Sequence, residues 1–373
     1  MSGIYIHIPF CRQACHYCNF HFSTSLKQKD ELINALCKEI GLAPADKTET
    51  IDTVYFGGGT PSLLSIKELE LIFSALNKKF SMSNNIEITL EANPDDINPE
   101  KLTQWKNTGI SRLSVGIQSF VEDELKWMNR AHTAGDSVRC INEIQEAGFA
   151  NFSVDLIYGS PLLDNNNWKK NVDIIIKKNI PHISCYALTV EPATALYKMI
   201  AQHKKAPVDA EKQAVQFLLL MDWMEASGYE HYEISNFAKP GMHSKHNSSY
   251  WKGKKYVGFG PSAHSFDGEK RKWNISSNAG YMQSIQKGII PFEEETLTIT
   301  QQINEYIMVS LRTMEGIDLD FLKKHFGKKC MDKLQAASVK WQIGKRIRQV
   351  DSKLILTRQG KLFADGIAAD LFF

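Results

Sequence analysis

Cys11, Cys15 and Cys18 lie in the stretch YIHIPFCRQACHYCNF, residues 5–20, with the spacing C-x3-C-x2-C. Thiolates this close in a chain suit a metal or an iron–sulfur cluster. A structural zinc site takes four protein ligands, and ordinary iron–sulfur clusters usually take four cysteine thiolates. No fourth cysteine follows nearby, because Cys37 falls in a segment of helical periodicity. Three thiolates on a 4Fe-4S cluster leave one iron without a protein ligand, and an open iron can bind a small molecule, much as catalytic zinc sites keep an open position. A partial zinc site and three unrelated thiols are the alternatives. The clustering weighs against the second and the missing fourth ligand against the first.

The elements that must position these thiols alternate between two periods. Residues 4–8 read as a strand, and the cysteine loop follows directly. A helical stripe of Leu32, Ile33, Leu36, Cys37 and Ile40 comes next, which makes Cys37 a packing residue. Strand 53–56 runs into Gly57-Gly58-Gly59-Thr60-Pro61, then Ser65 and Glu68 form a capping-box pattern ahead of another helix. The unit recurs with strands at 86–91, 112–117, 152–157 and 182–188, and Asn98-Pro99 starts one of the helices between them. Cys140 and Cys185 fall inside these elements and read as packing residues. Such alternation implies βαβ units and a parallel sheet, curved as in a barrel or doubly wound, with the site on loops after the strand ends. The cysteines, the glycines, Glu91 and Gln118 all sit at such ends, while Asp155 lies within a strand and its direction is open.

After Leu188 the pattern changes. A helix over 210–227 and an alternating stretch over 229–237 lead to an aromatic, glycine-rich segment with His243, His246, Tyr250, Trp251, Tyr256 and His264. Helices followed by a hairpin near Asp351 read as a winged-helix-like unit from about residue 298. The expected organisation is 1–228, a connecting region 229–297, and 298–373. With 373 residues, 23% charged and a net charge of +2, the chain reads as soluble and globular, with no call for nucleic acid or an anionic membrane as partner. It shows no apolar run long enough to span a bilayer and no secretion signal, and its odd number of cysteines argues for reduced thiols in the cytoplasm.

The cysteine spacing, with Tyr17 just before the third cysteine, resembles the signature of the radical S-adenosylmethionine superfamily. The resemblance implies that the methionyl amine and carboxylate of S-adenosylmethionine chelate the open iron, and that electron transfer can release a 5′-deoxyadenosyl radical. Over nearly its full length the chain further resembles the oxygen-independent coproporphyrinogen III dehydrogenase family, through YIHIPFC, GGGTP, Glu91-Ala92-Asn93-Pro94, GIQSF and Asp155-Leu156-Ile157-Tyr158-Gly159. By that resemblance the fold is a radical SAM partial (β/α)6 barrel, Tyr5 supports the cofactor, Gly58 lines its methionyl end and Glu91 binds its ribose. Gly59, Thr60, Gln118, Arg130 and Asp155 fall where the family contacts a second cofactor molecule.

Two departures turn the reading away from the dehydrogenases, which carry a further cysteine where this chain has Phe20 and an extension before the cluster motif where only ten residues precede Cys11. Both features resemble the HemW branch, a group associated with haem delivery. His246-Asn247-Ser248-Ser249-Tyr250-Trp251 is a complete copy of that branch's HNxxYW motif. The resemblance implies a haem chaperone that binds haem in addition to the cluster and S-adenosylmethionine and passes it to an acceptor protein, in transient contact with the membrane where the acceptor is membrane-bound. His246 is the expected iron ligand, with Asn247, Tyr250 and Trp251 around it. His243 could compete, and a zinc site of His243, His246 and His264 is a further alternative. The competing enzyme reading is decarboxylation of coproporphyrinogen III.

Overall fold

The computed structural model describes residues 3–44 and 49–373. Six strands, β1 (Gly3–Ile8), β2 (Thr50–Gly58), β3 (Ser81–Ala92), β4 (Arg112–Gln118), β5 (Phe152–Tyr158) and β6 (His182–Ala187), stand side by side in chain order and run parallel. Between them lie α1 (Lys29–Leu42), α2 (Ile66–Lys79), α3 (Pro99–Asn107), α4 (Glu122–Trp127), α5 (Ala134–Glu146) and α6 (Asn165–Lys177). A doubly wound sheet reverses its strand order part-way. Here the order never reverses, and right-handed crossovers place successive helices on one face, which curls the sheet into a partial barrel. The helix starts follow the sequence signals: Ser65 and Glu68 close a capping box on α2, and Asn98 caps α3 with Pro99 in its first turn.

The strands alternate in a way that defines the lumen. In β1, Ile4, Ile6 and Ile8 are fully buried in the main hydrophobic core, while Tyr5 and His7 point to the other face, where they meet each other and Tyr55 of β2. Val54 and Phe56, Leu113 and Val115, and Val154 and Leu156 repeat the outward apolar set. Inward the barrel carries Thr53, Tyr55, Glu91, Arg112, Ser114, Ser153 and Asp155, so its interior is polar.

The helices α7 (Ala195–Ala201) and α8 (Ala210–Ala226) precede a hairpin, β7 (Glu230–Glu233) and β8 (Asn236–Ala238), whose β8 pairs antiparallel with β6. The alternating stretch 229–237 is thus two short strands broken at Ile234 and Ser235. Next come α9 (Lys245–Trp251), β9 (Tyr256–Phe259), β10 (His264–Phe266), β11 (Lys270–Asn274), α10 (Asn278–Gln286) and β12 (Phe292–Thr296). Strand β9 pairs parallel with β1, and β10 to β12 continue antiparallel beyond it. Segment 229–297 therefore supplies strands to both ends of the main sheet. Buried Glu39 of α1 ties this extension down by accepting hydrogen bonds from Tyr281 (2.6 Å), Asn274 (2.6 Å) and the Gly260 amide (2.8 Å).

The C-terminal unit comprises α11 (Ile299–Leu311), β13 (Ile317–Asp318), α12 (Leu319–Phe326), α13 (Lys328–Ile343), the hairpin β14 (Ile347–Val350) and β15 (Lys353–Leu356), α14 (Arg358–Lys361) and α15 (Ala364–Asp370). A separate core that includes Ile307, Leu322, Leu334, Leu354 and Ile367 holds it together. Among the described residues no helix is long and apolar enough to cross a membrane.

Candidate functional site

The loop after β1 doubles back so that Cys11 N–H donates to Ser23 O (3.0 Å) and Ser23 N–H to Pro9 O (2.8 Å). The glycine loop after β2 seals its other side: Gly59 N–H donates to Ile8 O (2.9 Å) and Thr60 N–H to Phe10 O (2.7 Å). Such close main-chain approach excludes a side chain at Gly59. Gly58, at φ +104°, faces the His7 ring. A third clamp comes from the loop after α4, where Gln13 donates to the Asn129 carbonyl (3.0 Å) and Asn129 to the Ala14 carbonyl (2.7 Å).

Held in this way, Cys11, Cys15 and Cys18 line one cavity of about 440 Å3 at the C-terminal end of the barrel strands. Gly58, Gly59, Thr60, Glu91, Gln118, Arg130 and Asp155 line it too. Arg130 is anchored by donating to Asn93 Oδ1 (2.7 Å) and Gly116 O (2.6 Å), and it reaches Cys15 Sγ (3.3 Å) and the Tyr17 hydroxyl. Thr60 Oγ1 lies 3.4 Å from Cys11 Sγ. Burial pushes the Cys11 thiol up to about 11 and raises Cys18 as well. Buried thiols of this kind lose their protons readily only to a cation, and three of them around a glycine-walled cavity fit an iron–sulfur cluster. The remaining cysteines lie elsewhere, Cys37 against the core and Cys140, Cys185 and Cys330 buried.

Asp155 points into the cavity, resolving the direction the sequence left open. Burial pushes it to about 6 and Glu91 to about 7, although Arg112 draws both down. Tyr55 O–H donates to Glu91 Oε1 at 2.7 Å, and the Gly58 backbone amide also steadies the carboxylate. Gln118 sits at the rim with a positive φ of 68°, next to the irregular pairing of β4 with β5. Tyr5 stands just below the cavity, stacked on Tyr55 with its hydroxyl 3.2 Å from His7 Nδ1. Sequence reasoning passed over Tyr55, Asn93 and Arg112. The signal for Tyr55 and Arg112 was available in the period of two: a parallel strand buried on both faces reads as continuously apolar, and these strands do not.

The HNxxYW residues are not in the cavity. They form α9, which lies against β2 at the opposite end of the barrel. His246 is 1% exposed, with Nδ1 2.8 Å from Thr53 Oγ1, Nε2 2.8 Å from the Tyr250 hydroxyl, and its ring stacked on Tyr55 at 5.0 Å. The i,i+4 spacing puts His246 and Tyr250 on one helix face. Burial pushes His246 down to about 3, so the imidazole is neutral. Trp251 packs under the Arg312 guanidinium (5.3 Å) at the junction with the C-terminal unit, and its buried Nε1 has no hydrogen-bond partner among the described residues. Asn247 caps nothing itself; its amide donates to Ser244 Oγ. The three histidines considered for zinc are apart, with His243 on Glu230 (2.8 Å) and His264 stacked on Trp273.

The radical SAM superfamily profile matches residues 5–189. The chain is 34% identical over 98% of its length to the heme chaperone HemW of Bacillus subtilis, covering 98% of that protein. It is 31% identical to the heme chaperone HemW of Mycobacterium tuberculosis, over 99% of this chain and 94% of that one. Among solved structures, coproporphyrinogen III oxidase HemN from Escherichia coli superposes with a TM-score of 0.87 at 21% identity, over 100% of this chain and 90% of that one, a likeness of fold. The glycine-walled cysteine cavity and these full-length matches agree: the chain belongs to the HemW family within the radical SAM superfamily.

Proposed function

We propose that this protein binds a 4Fe-4S cluster, S-adenosylmethionine and haem, and hands haem to an acceptor protein. The observation that carries this is the end-to-end similarity to proteins named heme chaperones, which covers 98% of both chains in the Bacillus comparison. Cys11, Cys15 and Cys18 hold the cluster, which when bound with S-adenosylmethionine supplies a route to a 5′-deoxyadenosyl radical. The protein's own residues orient that cofactor. Gly58 leaves bare backbone for its methionyl end, Tyr5 supports it, and Glu91 accepts the ribose hydroxyls with its carboxylate aimed by Tyr55, while Gly59 borders the second-cofactor side. Thr60, Gln118, Arg130 and Asp155 hold the polar wall opposite, where a second cofactor molecule would lie.

On the other end of the barrel His246 supplies a neutral imidazole, the form that ligates iron. Its Nε2 is in contact with Tyr250, so ligation requires that hydroxyl to move off and α9 to present its face. With haem bound, Tyr250 and Trp251 would flank the macrocycle and Asn247 would border it. The acceptor is a protein reached from the cytoplasm, by transient contact where it is membrane-bound.

Anaerobic reconstitution followed by haem titration, with coproporphyrinogen turnover assayed on the same preparation, tests the reading. Stable haem binding without turnover is expected; turnover without haem binding overturns it in favour of the dehydrogenase. His246→Ala should weaken haem binding by about tenfold or more, the scale of one lost ligand or its orienting partner; unchanged binding refutes the ligand assignment. Replacing Cys11, Cys15 or Cys18 singly by serine should each abolish the cluster, read as iron content and the charge-transfer absorption, and a surviving four-iron cluster contradicts the three-ligand arrangement.

A further inference from the structure

Lys361, at the end of α14, reaches into a cleft of about 550 Å3 whose walls come from α8 and β7 on one side and from β14, β15 and α14 on the other. Its Nζ lies 2.9 Å from His231 Nδ1. An ammonium only donates, so Nδ1 accepts, and the same ring's Nε2–H donates to the Ile234 carbonyl at 3.0 Å. The imidazole is also held face to face with Phe237, ring centres 4.0 Å apart. Burial, and then the lysine itself, push His231 down to about 3, so it stays neutral and offsets none of the lysine's charge.

The rest of the charged lining is two arginines, Arg348 and Arg358, against one carboxylate, Glu225. Arg358 is engaged with Asp222 and with the Leu218 carbonyl. Arg348 lines the cleft from β14, and among the described residues neither it nor Lys361 has a carboxylate within ion-pair distance. Glu225 of α8 and Glu233 of β7 attract Lys361 from farther away, but Glu233 is already paired with Arg312 at 3.1 Å. Burial and the two arginines prevail over them and hold Lys361 down at about 8. Lys361 is half-buried, and lysine ammonium groups that leave water ordinarily find a carboxylate partner. This one rests on a neutral ring beside two arginines, with two hydrogens left over.

We propose that the cleft binds a small organic anion through a phosphate or carboxylate group. Lys361 contributes a point charge and Arg348 a planar fork of donors suited to such oxygens. Thr357 and Tyr229 already donate their hydroxyls to the Lys345 and Ile180 carbonyls, so the cations are the recognition groups. Met221 and Leu356 form an apolar wall, which calls for a ligand with a carbon body, and the volume is that of a metabolite site. None of the residues that line this cleft lines the cysteine cavity or belongs to α9, so the site is independent of the haem reading. A bound anion would bridge the barrel to the C-terminal unit.

Calorimetric titration of the full chain with phenyl phosphate, benzoate and inorganic phosphate tests this. One of the two aromatic probes should bind saturably and more tightly than inorganic phosphate; preference for phenyl phosphate assigns a phosphate ligand, and preference for benzoate a carboxylate. Arg348→Ala, on an exposed strand and so expected to fold, and Lys361→Met should each weaken that binding by about tenfold or more. Affinity should also fall as pH rises from about 7 to about 9, where Lys361 loses its proton. Absence of saturable binding by every probe, or equal affinity in wild type and Arg348→Ala, overturns the proposal. If Lys361→Met fails to fold, Arg348→Ala and the pH series decide.

Discussion

Gly59→Ala is expected to displace the cysteine loop and to cost about 3 kcal/mol or more, since a methyl there meets main chain that has nowhere to go. A Cβ at Gly59 would lie 2.6 Å from Phe10 O and 2.7 Å from both Ile8 O and Phe10 N. Those atoms belong to the segment that delivers Cys11, and the same segment accepts the Gly59 and Thr60 amides. No side-chain rotation can relieve the contact, so either both hydrogen bonds stretch or the loop moves. Denaturant melts of the apo protein and iron content after reconstitution should fall together. Gly41→Ala is the matched control: it lies in α1 with no atom of the described residues within 4 Å of the added one, and should be neutral or stabilising by up to about 1 kcal/mol. A Gly59→Ala protein that melts and loads iron like wild type would show that the loop is pliable.

Arg112→Leu should be the most damaging change inside the barrel, at roughly 3–5 kcal/mol near pH 8, the scale for removing one partner from a buried charged group. Arg112 is 1% exposed and sits among Glu91, Asp155 and the buried histidines. The loss should depend on pH. Glu91 and Asp155 have folded-state values of about 7 and about 6, raised by burial above the ordinary carboxylate range. Groups raised in this way favour the folded state at low pH, and that contribution fades as pH climbs through the folded values. Wild-type apo protein should therefore lose some stability between about pH 5 and pH 8, and Arg112→Leu should lose considerably more, because the cation that tempers both acids is gone. Melting curves across that range measure it; a variant equally damaged at both ends would place the role of Arg112 in packing.

Much of the architecture was readable because local signals carry it. The cysteine spacing, the Ser65 and Asn98 caps, and the six strands with their turn residues each depend on a few neighbours in the chain, and each appears where expected. Pairings between distant segments leave no such mark. Nothing in residues 256–259 announces that they will lie beside β1, and the break at Ile234 and Ser235 is imposed by the hairpin's own pairing rather than by a glycine or proline. The cavity residues at strand ends were legible because parallel sheets put their sites there. The inward direction of Tyr55 and Arg112 was legible in the period of two, but the groups they meet across the lumen were not. The HNxxYW motif was visible as a string, but its position at the far end of the barrel, with both ring nitrogens of His246 engaged, is a property of the fold.

The parallel pairing of β1 with β9 has a consequence for how the protein is made. The strand that carries the cysteine loop is synthesised well before its second neighbour, Tyr256–Phe259, which comes some 250 residues later. At ribosomal rates of roughly 5–20 residues per second, that edge of β1 stays unpaired for about ten seconds to a minute. During this interval Cys11, Cys15 and Cys18 ride on a half-completed sheet, before Gly260 docks on Glu39 and closes that side. Of the six parallel strands, the one that bears the cluster thiols is therefore the last to gain both of its neighbours.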